Sequence, residues 1–227
     1  MSELAQRYNQ IVERVTSAAA ASARAPEEIT LIVVTKNHPP QLVFDLLELG
    51  ARDFGENRDQ EASPKALEVL AASSRSMNWH FVGQLQTNKV RSVLEYADTI
   101  HSLDRESLLN ELQKRTAERP KSLGVFIQVN LTEDPDRGGI QVPDLEGFAT
   151  KVLNSPGLHL AGLMGVGGLD KAPELEFERL AGLSQTLQKL SPEANGLSMG
   201  MSADFEVAIG YGATHLRIGT AITGKRP

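Results

Sequence analysis

From Pro26 onward, short apolar, β-branched runs alternate with longer stretches whose apolar residues recur every three or four positions. Period 2 or unbroken apolar runs mark strands and period 3.6 marks amphipathic helices. The first run, Ile29–Thr35, precedes a helical stretch, Gln41–Leu49, which Gly50 ends. Seven further strands are predicted at Arg52–Phe54, Trp79–Val82, Thr99–His101, Leu123–Asn130, Leu158–Met164, Gly196–Met199 and Thr214–Arg217. Between them fall helices at Asp59–Ala72, Thr87–Tyr96, Arg105–Glu118, Pro143–Leu153, Glu174–Leu190 and Ala203–Ile209. Ahead of the alternation, Leu4, Tyr8, Ile11, Val12 and Val15 predict an extra N-terminal helix over 3–22, packed outside the fold. Strict β/α alternation with short links implies parallel strands joined by crossover helices. Eight such units predict an α/β fold, a single (β/α)8 TIM barrel.

The length agrees: 227 residues fall in the range of roughly 200–250 that such barrels usually need. No composition shift or long linker divides the chain, so one domain is expected over 1–227. Hydrophobic residues make up 41%, enough for a core. The formal net charge is −6 and the basic residues are scattered, which argues against nucleic acid as a partner. There is no cysteine, which excludes disulfides, thiolate nucleophiles and cysteine-ligated metals. No histidine–carboxylate pattern has metal spacing, so no metal is expected. Glu3, Arg7, Glu13 and Arg14 interrupt any signal-peptide core. No run approaches the ~18 apolar residues of a membrane span, so a cytoplasmic protein is expected.

Barrels of this type place their chemistry on the loops after the strands. Lys36 follows the run Leu-Ile-Val-Val-Thr and emerges at that face. Desolvation there would free its amine as a nucleophile toward carbonyls, although a lysine opening a solvent loop would look the same. Asn57 follows the second strand, and His80 and Gly83 belong to the third. The strongest signal is C-terminal. Strand seven runs into Leu-Ser-Met-Gly-Met-Ser-Ala-Asp, and strand eight into Arg-Ile-Gly-Thr-Ala-Ile. Glycines, hydroxyls and free N–H groups at helix starts bind phosphate, and barrels often do so after strands seven and eight. Ser198, Ser202, Gly219 and Thr220 are therefore predicted to form a phosphate cup, though helix caps would explain either loop alone. Arg217, ending strand eight, needs an acceptor if it points inward. A nucleophilic lysine, a phosphate cup and an inward arginine together suggest a phosphorylated aldehyde held as an imine, with pyridoxal phosphate the candidate. The glycine-rich 165–168 lacks the Lys-Ser/Thr of a P-loop and dinucleotide spacing. It reads as a tight loop, and 134–139 as a loop after strand five.

These segments resemble the pyridoxal phosphate homeostasis protein family, single-barrel relatives of the alanine racemase N-terminal domain. The resemblance rests on VTK at 34–36, FGEN at 54–57, WHFVGQLQTNK at 79–89, GIQ at 139–141, LSMGMSADFEVAI at 197–209 and RIGTAITG at 217–224. It implies that Lys36 forms the Schiff base with pyridoxal 5′-phosphate and that Arg217 contacts the pyridine nitrogen. The C-terminal loops would hold the phosphate, and Asn57, His80 and Met199 would line the ring pocket. The sixth loop, Leu-Met-Gly-Val-Gly-Gly, is richer in glycine than the family pattern.

An arginine donates to the ring nitrogen without protonating it, leaving a weak electron sink. Racemisation also needs a second base on the opposite ring face. The alanine racemases supply a tyrosine from a further domain and a partner subunit. Tyr8, Tyr96 and Tyr211 all fall away from the predicted mouth. The expectation is a pyridoxal-phosphate carrier or regulator in vitamin B6 homeostasis, monomeric and without strong catalytic activity, with cofactor-dependent apo-enzymes as partners. A weak amino-acid racemase and a Schiff-base aldolase are the alternatives.

Overall fold

In the computed structural model eight strands close a barrel in sequence order, each parallel to its neighbours. The structure describes residues 1–117, 119–132, 134, 138–165 and 172–224. The strands are β1 (Thr30–Val34), β2 (Asp53–Glu56), β3 (Asn78–Phe81), β4 (Thr99–Leu103), β5 (Leu123–Gln128), β6 (Leu158–Met164), β7 (Gly196–Ser198) and β8 (His215–Ile218). The helices are α1 (Glu3–Ala21), α2 (Pro40–Glu48), α3 (Asp59–Ala72), α4 (Val90–Val93), α5 (Glu106–Thr116), α6 (Leu145–Leu153), α7 (Pro173–Leu190), α8 (Phe205–Gly210) and α9 (Thr220–Thr223). All eight predicted strands are present. The predicted helix over 87–96 is instead a 3-10 turn, Thr87–Lys89, followed by the single turn of α4. Thr87 and Asn88 have low propensity for a helix interior and favour caps and turns, which suits a short 3-10 turn better than the first turn of a long helix.

Period-2 alternation sorts each strand's side chains between two environments. Val33, Phe54, Trp79, Phe81, Ile100, Val125, Ile127, Leu216 and Ile218 belong to the apolar layer between barrel and helices. Phe54 and Trp79 pack with ring centroids 5.6 Å apart. The alternate positions fill the barrel, and there the sequence turns polar: Asp53, His80, His101, Ser198, His215 and Arg217 share the interior with Phe126. The His101 ring stacks on Phe126 at 4.5 Å with an interplanar angle of 17°.

The extra helix α1 lies outside, against α8 and α9. Arg14 makes two hydrogen bonds of 2.9 Å to the Glu206 carboxylate on α8. Arg7 Nε donates to the Ile222 carbonyl of α9 at 2.8 Å. Arg24, just beyond α1, donates to the carbonyls of Ile209 (3.2 Å) and Ala213 (2.7 Å) where α8 ends. The two short helices that follow β7 and β8 are thus tied to the start of the chain. Among the described residues no helix is long and apolar enough to cross a membrane.

Candidate functional site

A cavity of about 440 Å³ opens at the C-terminal ends of the strands. Its polar lining is Lys36, Asn57, Ser202, Arg217, Gly219 and Thr220, and its apolar lining is Val34, Val82, Met201 and Ala203. The six residues of the polar lining come from four strand ends, with Arg217 inside β8 itself. Lys36 follows β1 by two residues, Asn57 directly follows β2, Ser202 lies in the loop after β7, and Gly219 and Thr220 follow β8. Gly83 lets the β3 loop press against this site: a Cβ there would meet the Asn57 carbonyl at 2.1 Å, so any side chain would push Asn57 away.

The backbone just before Lys36 is held by buried charge. Lys65 of α3 donates to the Thr35 carbonyl (2.8 Å) and to Glu56 Oε1 (2.7 Å), and the Thr35 hydroxyl donates to the same Oε1 at 2.6 Å. Burial pushes the Glu56 carboxyl above its ordinary value, outweighing the Lys65 ammonium and the two hydrogen bonds. Asn37, after the lysine, takes a left-handed conformation (φ 62°), which asparagine tolerates, and its N–H donates to Glu61 at 3.2 Å.

Arg217 lies almost entirely within the barrel and reaches the floor of the cavity. Its Nη1 donates to Ser198 Oγ (2.6 Å) and its Nη2 to the Gly165 carbonyl (2.9 Å). Burial pulls its pKa down to about 10, against the opposing pull of Asp204. The group nevertheless stays cationic near neutral pH.

Of the nine residues predicted from sequence, six meet at this cavity: Lys36, Asn57, Ser202, Arg217, Gly219 and Thr220. His80, Ser198 and Met199 do not line it. Ser198 sits below, between Arg217 and His101. Met199 is fully buried in the apolar layer. His80 faces the opposite end of the barrel, where it helps line a second opening of about 430 Å³ with Asp53, Asn78, Asp98, Lys121 and His215. Val34, Val82, Met201 and Ala203 were not foreseen, because apolar residues carry no chemical signal in a sequence. The glycine-rich stretch is described only at Gly165, and the expected loop at 134–139 only at Asp134, Gly138 and Gly139. The remainder of both lies outside the described residues.

The arrangement defines a class before it defines a protein. A family model described as the alanine racemase N-terminal domain matches residues 9–227, and alanine racemase from Corynebacterium glutamicum shares the fold at 13% identity. That alignment has a TM-score of 0.68 and covers 96% of this chain and 61% of that one. Similarity at higher identity is narrower in kind. The pyridoxal phosphate homeostasis protein of Escherichia coli strain K12 is 38% identical over 234 residues, covering 100% of this chain and 98% of its own. The structure of PipY from Synechococcus elongatus with PLP bound is 33% identical. It has a TM-score of 0.81 and covers 94% of this chain and 100% of that one. The chain belongs to the pyridoxal phosphate homeostasis protein family.

Proposed function

We propose that the C-terminal mouth binds pyridoxal 5′-phosphate and that the protein acts in vitamin B6 homeostasis as a carrier or regulator of that cofactor. The observation that carries this reading is the composition of one cavity. Two cations, Lys36 and Arg217, and neutral donors at Asn57, Ser202 and Thr220 converge there, and no carboxylate is among the described residues that line it. Such a donor set suits a dianionic phosphate on an apolar ring, since Val34, Val82, Met201 and Ala203 offer surface for the ring. The ligand named with PipY supports the same assignment.

Lys36 would supply the amine that joins the cofactor's aldehyde. Ser202, Gly219 and Thr220 would hold the phosphate, Arg217 the pyridine nitrogen, and Asn57 the ring's polar edge. When bound, the cofactor supplies an electrophilic carbon and an electron-withdrawing ring. Arg217, still cationic after burial, donates a hydrogen bond and keeps its proton. It therefore limits how far the ring can draw electrons.

The carrier reading is favoured over racemisation by where the acid–base groups lie. Tyr8 and Tyr96 are buried outside the barrel, and Tyr211 caps α8. His80 and His101 are bonded to each other beneath the mouth. We further infer a cytoplasmic monomer that hands the cofactor to apo-enzymes, with the whole chain, 1–227, as one domain. The visible spectrum of the purified protein tests the assignment, alongside Lys36→Ala and borohydride trapping with peptide mass mapping. An imine band lost in Lys36→Ala and trapped on the Lys36 peptide is expected. A wild type that stays colourless with added pyridoxal phosphate would refute the assignment and favour the aldolase. Assay with D- and L-amino acids separates carrier from racemase, and steady turnover would sink the carrier reading.

A further inference from the structure

We propose that Asp53, at the N-terminal end of the barrel, orders a hydrogen-bonded chain through His80, His101 and Ser198 that fixes the donor geometry of Arg217 at the opposite mouth. The links are continuous. Asp53 Oδ1 lies 3.0 Å from His80 Nε2, His80 Nδ1 3.0 Å from His101 Nε2, and His101 Nδ1 2.7 Å from Ser198 Oγ. Ser198 Oγ is 2.6 Å from Arg217 Nη1. Asp53 begins β2, His80 and His101 are the third residues of β3 and β4, and Ser198 ends β7. In a parallel barrel those positions climb from one end to the other.

The ends of this chain dictate its middle. An ionised carboxylate only accepts and a guanidinium only donates. Asp53 is held below its ordinary value: burial opposes this, but hydrogen bonds from His80 and Asn78 prevail. A His80 ring with a single N–H must give it from Nε2 to Asp53, which leaves Nδ1 to accept. His101 must then donate from Nε2 and accept at Nδ1. The Ser198 hydroxyl consequently points at His101 and turns its lone pairs toward Arg217. Every hydrogen runs the same way, from Arg217 down to Asp53. Complete burial holds His101 well below its ordinary pKa, in keeping with a neutral ring, and stacking on Phe126 keeps that ring in plane.

The opposite order fails at both ends. It would set a bare His80 nitrogen against the Asp53 carboxylate. It would also aim a His101 N–H at Ser198 and leave the buried Ser198 proton without the acceptor it now has. Held by Ser198 and by the Gly165 carbonyl, Arg217 has its guanidinium plane set from below. Asp53, His80, His101 and Ser198 are therefore positioning residues for Arg217. That its remaining edge meets a pyridine nitrogen rests on the function proposed above, whereas the order of the chain does not.

Nitrogen-15 NMR of histidine-labelled protein, without added cofactor and at neutral pH, reads the tautomers directly. A single Nε2–H form at both His80 and His101 is expected. An Nδ1–H form or an imidazolium at His101 overturns the proposal, and this measurement needs no variant. The coupling is tested with Asp53→Ala, which removes the acceptor. It should mix the tautomers of both rings, displace the imine band and weaken pyridoxal phosphate binding roughly 5- to 10-fold, the weight of about one hydrogen bond. Asp53→Asn keeps an acceptor oxygen and should restore all three. An Asp53→Ala protein that changes at His80 alone, with His101 and the imine band untouched, would show that no chain couples the two ends. Failure of the wild type to bind cofactor would refute the functional reading and leave the tautomer result to decide the chain.

Discussion

The pairing of Lys65 with Glu56 sets a buried ammonium and carboxylate beneath the residue that precedes Lys36. Removing one partner of a buried pair strands the other and costs about 3 kcal/mol or more. Lys65→Met should therefore lower unfolding stability by about 3 kcal/mol in urea titration. Lys65→Met combined with Glu56→Leu should recover much of that loss, because neither charge is then unpaired. If the single variant costs nothing, the pair does not brace the β1 loop. Residues of this kind are hard to read from sequence. Lys36, Asn57, Ser202, Gly219 and Thr220 were legible because each follows a strand, and Arg217 because it is the last residue but one of β8, close to the end where barrel chemistry gathers. Glu56 and Lys65 meet only in three dimensions. Strand periodicity gives the side of a residue and not its height in the barrel, which is why His80, expected at the ring pocket, and Ser198, expected in the cup, lie below the mouth.

At the level of elements, the alternation of apolar runs and amphipathic stretches made all eight strands visible, and α3 has the predicted limits, Asp59–Ala72. The short pieces were less visible. The four-residue α9 has no apolar period to detect, and the run over 87–96 splits at residues that favour turns. The role of α1 and the residues just after it was also hidden, since nothing in the spacing of Arg7, Arg14 and Arg24 says whether they meet solvent or a partner. In the structure Arg24 satisfies two carbonyls where α8 ends. Arg24→Ala is expected to cost about 1 kcal/mol, a fall of roughly 2–4 °C in Tm for a chain of this size. Thermal unfolding followed by circular dichroism measures this. Added pyridoxal phosphate should widen the gap if α8 and α9 shape the phosphate cup, because a variant with a looser cup binds the ligand less tightly and gains less from it.

Across the whole molecule, a polar barrel interior makes stability sensitive to acid. His215 is held to about 4 by burial and His101 well below 6.5, whereas both titrate near 6.5 once unfolded. The unfolded chain then binds more protons than the fold between those values, so stability is full above pH 6.5 and falls as pH drops toward 4. His215 alone accounts for roughly 3 kcal/mol of that loss, since a tenfold change in proton affinity is worth about 1.4 kcal/mol. The lowered pKa of Asp53 removes more below its ordinary 3.8, while the raised carboxyl of Glu56 works in the opposite sense. Urea unfolding at pH 7 and pH 5 should show the decline, and equal midpoints would contradict neutral buried rings. The closing of the barrel has a kinetic consequence. Lys36 comes from the first strand and the cup from the last two, and β1 meets β8 only when the ring of strands is complete. Contacts so distant in sequence form late, because the intervening loop must first be closed. On the proposed assignment, a half-folded chain holds a lysine without a cup, so during refolding colour would develop after helix content and would mark the moment the barrel shuts.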